Sequence, residues 1–195
     1  MKSKNWLQRQ NKDIYVKKSK KEGYLSRAAY KLIEIEKKYK IILKSNNILE
    51  LGSSPGSWSQ VICELNKNAN IEAFDILDMK FNNSKINFKK QDFLEYNFGF
   101  KKKYDLILSD VAPNTTGHKA TDHLRLISII EEILFIVKNN LKENGSFIFK
   151  ILKGSEYKDI IIKTNKMFKK VSIFKPNSSR FKSSEIYVVS QKFIF

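Results

Sequence analysis

From Asn47 onward the chain alternates short, continuous apolar runs with amphipathic stretches, and this alternation narrows the possible folds more than any other feature. Runs at Asn47–Leu51, Ile71–Ile76, Ile86–Phe88 and Tyr104–Ser109 have strand length and are mainly apolar, with single polar or charged residues such as Glu50, Glu72 and Asp105 set among the apolar ones. Continuous apolar strands of this kind belong to sheets covered on both faces. Between and after them lie helical patterns. One follows Gly56, and a long one carries the stripe Ile127, Ile130, Ile133, Leu134 and Val137, with Asn144-Gly145 expected to end it before a strand at Ser146–Leu152. A helix at Glu156–Phe168 and strands at Val171–Phe174 and Glu185–Phe195 complete the series. The expected fold is α/β and Rossmann-like, with a mostly parallel sheet and helices on both faces.

No repeat, Pro/Gly-rich linker or low-complexity tract divides the 195 residues, so residues 24–195 are expected to form one domain behind a basic arm at 1–23. Within the domain, Ala29, Leu32, Ile33 and Ile35 follow helical spacing from about Tyr24 to Tyr39. Every apolar stretch is broken well before about 18 residues, and the N-terminus lacks a signal-like apolar segment, so a soluble, cytoplasmic protein away from membranes is expected. The single cysteine, Cys63, sits among apolar neighbours and reads as a buried, inert thiol. With only His118 and His123 and no cysteine cluster, no metal site is expected.

The formal net charge of +17 attracts polyanions. Up to Lys44, fourteen Lys or Arg stand against four acids, so ten of those seventeen charges lie in the first quarter. Nucleic acid is the expected partner, although a lysine-rich, AT-biased genome would push composition the same way. A membrane surface fits less well, because no long apolar face opposes the N-terminal lysines.

In such sheets ligands bind beyond the carboxyl ends of the strands, where strand order reverses. After the first strand comes Gly52-Ser53-Ser54-Pro55-Gly56-Ser57-Trp58, a small-residue turn feeding a helix. Its G-x-x-x-G spacing is neither the G-x-G-x-x-G of a pyrophosphate loop nor a P-loop, which argues against NAD and ATP. Asp75 closes the second strand 23 residues beyond Gly52, where a carboxylate can accept ribose hydroxyls, and Asp92 ends the third, where one can accept an adenine amino group. Together they suggest an adenosyl site. The fourth strand runs into Asp110-Val111-Ala112-Pro113-Asn114, which puts a carboxylate at a strand mouth. Lys150 lies inside the apolar strand Phe147–Leu152, where an ammonium must find a counter-charge or reach water.

With these residues in view the chain resembles the FtsJ/RrmJ (RlmE) family of ribose 2′-O-methyltransferases over nearly its whole length. The matching segments are Trp6-Leu7-Gln8, Ser26 through Leu32, Gly52 through Gln60, Ser109 through Asn114, Phe149-Lys150, Lys175 through Arg180, and Ser184 through Tyr187. The resemblance implies S-adenosyl-L-methionine as cofactor, a catalytic tetrad at Lys31, Asp110, Lys150 and Glu185, and cofactor contacts at Gly52, Gly56, Trp58, Asp75, Asp92 and Asp110. Local sequence alone would leave Lys31 a solvated helix lysine and Glu185 an ordinary strand residue. Ser53, Ser54 and Ser57 depart from the small residues usual in that loop, and His118-Lys119 is unusual after Asn114.

The resemblance further implies ribosomal RNA of the large subunit as substrate, specifically a uridine of the peptidyl-transferase A loop within the assembled subunit, and a monomeric enzyme. Lys150 would be the base or orienting group. The like charge of Lys31 and burial would loosen its proton, while Asp110 and Glu185 would hold it and fix its geometry. Transfer RNA is the alternative substrate. A base N-methyltransferase would stack its base on an aromatic that Asp110–Asn114 lacks, and a non-catalytic ribosome-assembly factor would not need all four tetrad positions filled.

Overall fold

The computed structural model describes residues 13–113 and 117–195, so Trp6-Leu7-Gln8 and Asn114 lie outside the described residues. Its strands are β1 (Asn47–Leu51), β2 (Asn70–Asp75), β3 (Ile86–Lys90), β4 (Tyr104–Ser109), β5 (Leu141–Leu152), β6 (Phe168–Phe174) and β7 (Glu185–Phe193). They form one sheet in the order β3-β2-β1-β4-β5-β7-β6. The first five pair in parallel, while β7 is antiparallel to both β5 and β6. Strand order reverses between β1 and β4, so the segments leaving these two strands border the ligand crevice of such a sheet.

The helices are α1 (Ile14–Glu22), α2 (Ala28–Tyr39), α3 (Ser57–Leu65), α4 (Lys119–Asn140) and α5 (Tyr157–Asn165). Because successive strand residues point to opposite faces, each central strand contributes to two cores. On one face Leu49, Leu51, Ile107, Phe147 and Phe149 pack with Ile130 and Ile133 of α4 and Ile160 of α5. On the other, Ile48, Leu106, Leu108, Ile148 and Val189 pack with Leu32 and Ile35 of α2 and Val61 and Ile62 of α3. Each fully buried Leu, Ile or Phe contributes roughly 1.5–3 kcal/mol. The double coverage explains the continuous apolar strands.

Two features differ from the sequence reading. Helix α4 ends at Asn140, and β5 already begins at Leu141, which is buried and pairs with Tyr104. Asn144-Gly145 lies inside the strand, where the register slips between Tyr104 and Leu106 and Asn144 takes φ 61°. A helix stop and a bulge both call for left-handed backbone, and here the dipeptide serves the bulge. The second difference is in the basic arm, whose residues 14–22 form helix α1. The Asp13 side chain caps α1, accepting from the amides of Tyr15 (3.1 Å) and Val16 (3.4 Å). Tyr15 and Tyr30 rings meet at 5.4 Å and Tyr30 donates to Glu22 at 2.7 Å, tying α1 to α2. Lys17, Lys18, Lys20, Lys21, Lys37, Lys38 and Lys40 all remain exposed.

Among the described residues no helix is long and apolar enough to cross a membrane, and no group of His, Cys, Asp and Glu is placed to hold a metal ion. Cys63 is buried.

Candidate active site

The glycine loop is built against its neighbours. Gly52 and Ser53 donate their amides to Phe74 O at 2.9 and 3.1 Å, which carries the chain from the end of β1 over β2. Gly52 adopts φ 77°, and a Cβ there would stand 2.9 Å from the backbone of Val111. The loop and the segment after β4 therefore touch, with no room for a side chain between them. Gly56, at φ 107°, precedes α3, whose first amides have no carbonyl partner within the helix.

The carboxylates line the same edge. Asp75 Oδ2 accepts the Ser54 amide and Oδ1 the Leu77 amide, each at 2.8 Å. A carboxylate offers about four acceptor positions, so two remain for hydroxyls of a nucleoside. Asp92 caps a short turn through Leu94 N at 3.0 Å, beyond the end of β3. Trp58 is different. Its indole is buried beneath Tyr187 (rings 5.8 Å apart) and donates to Ala28 O at 2.9 Å. That leaves its backbone amide, in the first turn of α3, as the group able to meet a ligand.

Glu50 was not singled out by the sequence. It lies in β1, fully buried, paired between Ala73 and Leu108 and sharing a short hydrogen bond with the Ser59 hydroxyl. Burial, with the charges of Asp110 and Asp75, pushes its carboxyl up while Ser59 pulls it down, and the balance lies at about 8. The protonated form is thereby favoured more than in an ordinary carboxylate.

The four tetrad positions converge as two ion pairs. Lys150 Nζ contacts the Asp110 backbone O at 2.7 Å and its Oδ1 at 3.1 Å. Lys31, from α2, reaches Glu185 Oε2 at 2.8 Å. Between them stands Tyr187, whose hydroxyl donates to Asp110 Oδ1 at 2.8 Å and whose ring lies 5.6 Å from Lys31 Nζ. The sheet makes this arrangement. Lys150 pairs with Tyr187 and Leu152 with Glu185 across β5 and β7, and residues two apart share a face, so Lys150, Tyr187 and Glu185 point toward α2. Asp110 is held where its amide meets Leu51 O at 3.2 Å. Ser179 donates to Glu185 Oε1 at 2.8 Å, fixing its other oxygen.

Burial pushes the Asp110 carboxyl up, but Lys150, Lys31 and the Tyr187 hydroxyl outweigh it and hold the group below the usual carboxylate range. Burial and the charges of Asp110 and Glu185 drive the Tyr187 phenol well above its ordinary value, so it remains a proton donor. A recess of about 210 Å³ opens beside Lys31 and Glu185, lined also by Arg27, Arg180 and Ser183. Arg27 pairs with Asp13 and donates to Ser178 O, and Arg180 Nε reaches Asp13 at 3.4 Å. Sequence reasoning missed Tyr187, Arg27 and Arg180 as parts of the site. For Tyr187 the period-two spacing from Glu185 was the available signal.

Comparisons with known proteins place nearly the whole chain among similar proteins. The chain is 43% identical over 187 residues to the Ribosomal RNA large subunit methyltransferase E of Wolbachia pipientis, covering 93% of this chain and 96% of that protein. It is 40% identical over 200 residues to the protein of the same name in Rickettsia africae, covering 96% and 88%. A crystal structure named as a ribosomal RNA methyltransferase from Plasmodium falciparum superposes with TM-score 0.76 at 32% identity, covering 87% of this chain and 98% of that one. The sequence model described as FtsJ-like methyltransferase matches residues 24–193, and this chain belongs to that family.

Proposed function

We propose that this protein transfers a methyl group from S-adenosyl-L-methionine to a ribose 2′-hydroxyl, that of a uridine in large-subunit ribosomal RNA presented in the assembled subunit. The observation that carries the reading is the pairing of Lys150 with Asp110 at the mouth of β4, one Gly52–Val111 contact away from the glycine loop. Asp75, Asp92 and the first amides of α3 supply acceptors and donors for a nucleoside and an amino acid carboxylate. The bound cofactor supplies an electrophilic methyl group on a sulfonium.

The chain's own residues then have defined work. Lys150 directs two N–H groups at Asp110; its ammonium carries a third proton, and release of that proton to water before transfer leaves a lone pair able to accept the proton of the 2′-hydroxyl. As the carbon–sulfur bond breaks and the carbon–oxygen bond forms, the hydroxyl proton passes to Lys150 Nζ and on to water. Asp110, kept ionised by its neighbours, stabilises the resulting ammonium. Lys31, paired to Glu185, lines the recess where the ribose phosphate enters, and Asp13, which caps α1, pairs with Arg27 and Arg180 of that recess, so the exposed lysines of α1 belong to a helix anchored beside it. Residues 24–195 act as one cytoplasmic, monomeric methyltransferase domain in this reading.

The test offers the protein methyl-labelled cofactor with free ribosomal RNA, isolated large subunits and bulk transfer RNA, and maps label by resistance to alkaline hydrolysis. Ribose label in the large subunit is expected. Label confined to transfer RNA would overturn the target, and base label or none would overturn the reaction. Lys150→Ala should lose transfer while cofactor affinity holds; wild-type turnover would remove Lys150 from the mechanism.

A further inference from the structure

The loop between β6 and β7 is pinned along its length. The amides of Asn177 and Ser178 donate to Glu34 at 2.6 and 2.9 Å, Arg27 donates to Ser178 O, and Ser179 N reaches Pro176 O at 3.0 Å. Ser183 N then closes a turn onto Arg180 O at 2.9 Å, and Lys175 Nζ holds Ser183 O at 2.7 Å. At the tip of this turn stand Phe181 and Lys182. Phe181 is 95% exposed, more than any other large hydrophobic side chain among the described residues.

An aromatic ring ordinarily buries 150–250 Å², and this one is held out in water by a turn whose hydrogen bonds do not involve its side chain. The fold gains nothing from it. The exposed cations Arg180 and Lys182 flank it in sequence, and Arg180 and Ser183 line the recess that contains Lys31 and Glu185. A flat apolar face bracketed by positive charge is the combination that single-stranded RNA requires: bases stack on the ring while phosphates meet the cations. An apolar protein partner would match the ring and leave the bracketing charges unmatched.

We propose that Phe181 stacks on a base of the RNA strand next to the nucleotide whose ribose is methylated, with Arg180 and Lys182 taking the adjacent phosphates. The inference rests on the ribose methyltransferase reading and adds a residue that selects an unpaired, splayed strand.

The test uses the full chain as Phe181→Ala, Phe181→Leu and Phe181→Trp, with folding checked by circular dichroism. On whichever RNA the wild type labels, Phe181→Ala and Phe181→Leu should raise KM about tenfold with kcat and cofactor Kd unchanged, and Phe181→Trp should restore KM. In Phe181→Trp, the emission remaining after subtraction of the wild-type spectrum should be quenched by oligouridylate and not by an abasic oligomer of equal length. A wild-type KM in Phe181→Ala, an intact KM in Phe181→Leu, or equal responses to the two oligomers would overturn the stacking role, the second by pointing to a greasy contact with protein. If the wild type labels no RNA, the enzymatic reading falls, and the oligomer experiment still decides whether Phe181 stacks.

Discussion

Glu50 makes stability depend on pH in a direction opposite to that of an ordinary surface carboxylate. Its carboxyl is raised from 4.5 to about 8 by burial, so between those values the folded state binds a proton that the unfolded state has released. Stability from this group is therefore fully present below about pH 4.5 and is lost as pH rises through about 8. At 1.36 kcal/mol per unit, the loss between about pH 5.5 and pH 9 is about 3 kcal/mol, a large part of the 5–15 kcal/mol typical of a whole domain. Glu50→Gln removes the titration. The amide meets Ser59 differently and could shift stability by about 1–3 kcal/mol, but that offset does not vary with pH, so the slope carries the test. Urea unfolding followed by far-UV circular dichroism at several pH values should show the wild type losing stability relative to Glu50→Gln as pH rises, other titrations cancelling between the two. Parallel curves would show that Glu50 is ionised in the folded protein and refute the reasoning.

Gly52→Ala places a Cβ 2.9 Å from Val111 at a φ of 77°. It should cost at least about 1–2 kcal/mol of stability and weaken cofactor binding by displacing the segment that carries Asp110, read by urea unfolding and calorimetric titration; unchanged affinity would separate the loop from the cofactor. Tyr187→Phe leaves Asp110 Oδ1 with Lys150 alone. A hydrogen bond to a charged group is worth about 1.5–3 kcal/mol, so methyl transfer should fall roughly ten- to a hundredfold while cofactor Kd holds. The net charge of +17 predicts RNA affinity that falls steeply and linearly on a log–log plot between about 50 and 200 mM salt. A flat titration would remove phosphate contacts from the account.

How much of this was legible depends on how far each interaction reaches along the chain. The central strands were readable because coverage on both faces leaves only apolar positions, and a lysine in such a strand or an aspartate at its mouth stands out without any partner being known. That is why Asp110 and Lys150 carried a local signal. Lys31 and Glu185 carried none, since their contact spans 154 residues and exists only because β7 inserts antiparallel between β5 and β6. Resemblance named them, and topology explains them. The same distance hid the Arg180–Asp13 contact, 167 residues apart. Asn144-Gly145 misled for another reason: helix stops and bulges ask for the same backbone, and only the pairing of Leu141 with Tyr104 chooses between them. Glu50 carried the same strand-interior signal as Lys150, because it lies within the β1 run; what only the fold could add was its full burial and its partner Ser59. Charged side chains in this protein are thus readable where the strand pattern itself excludes them. Where the residue stands on a helix face or strand end and three-dimensional closure alone brings its partner, as for Lys31 and Glu185, the sequence is silent.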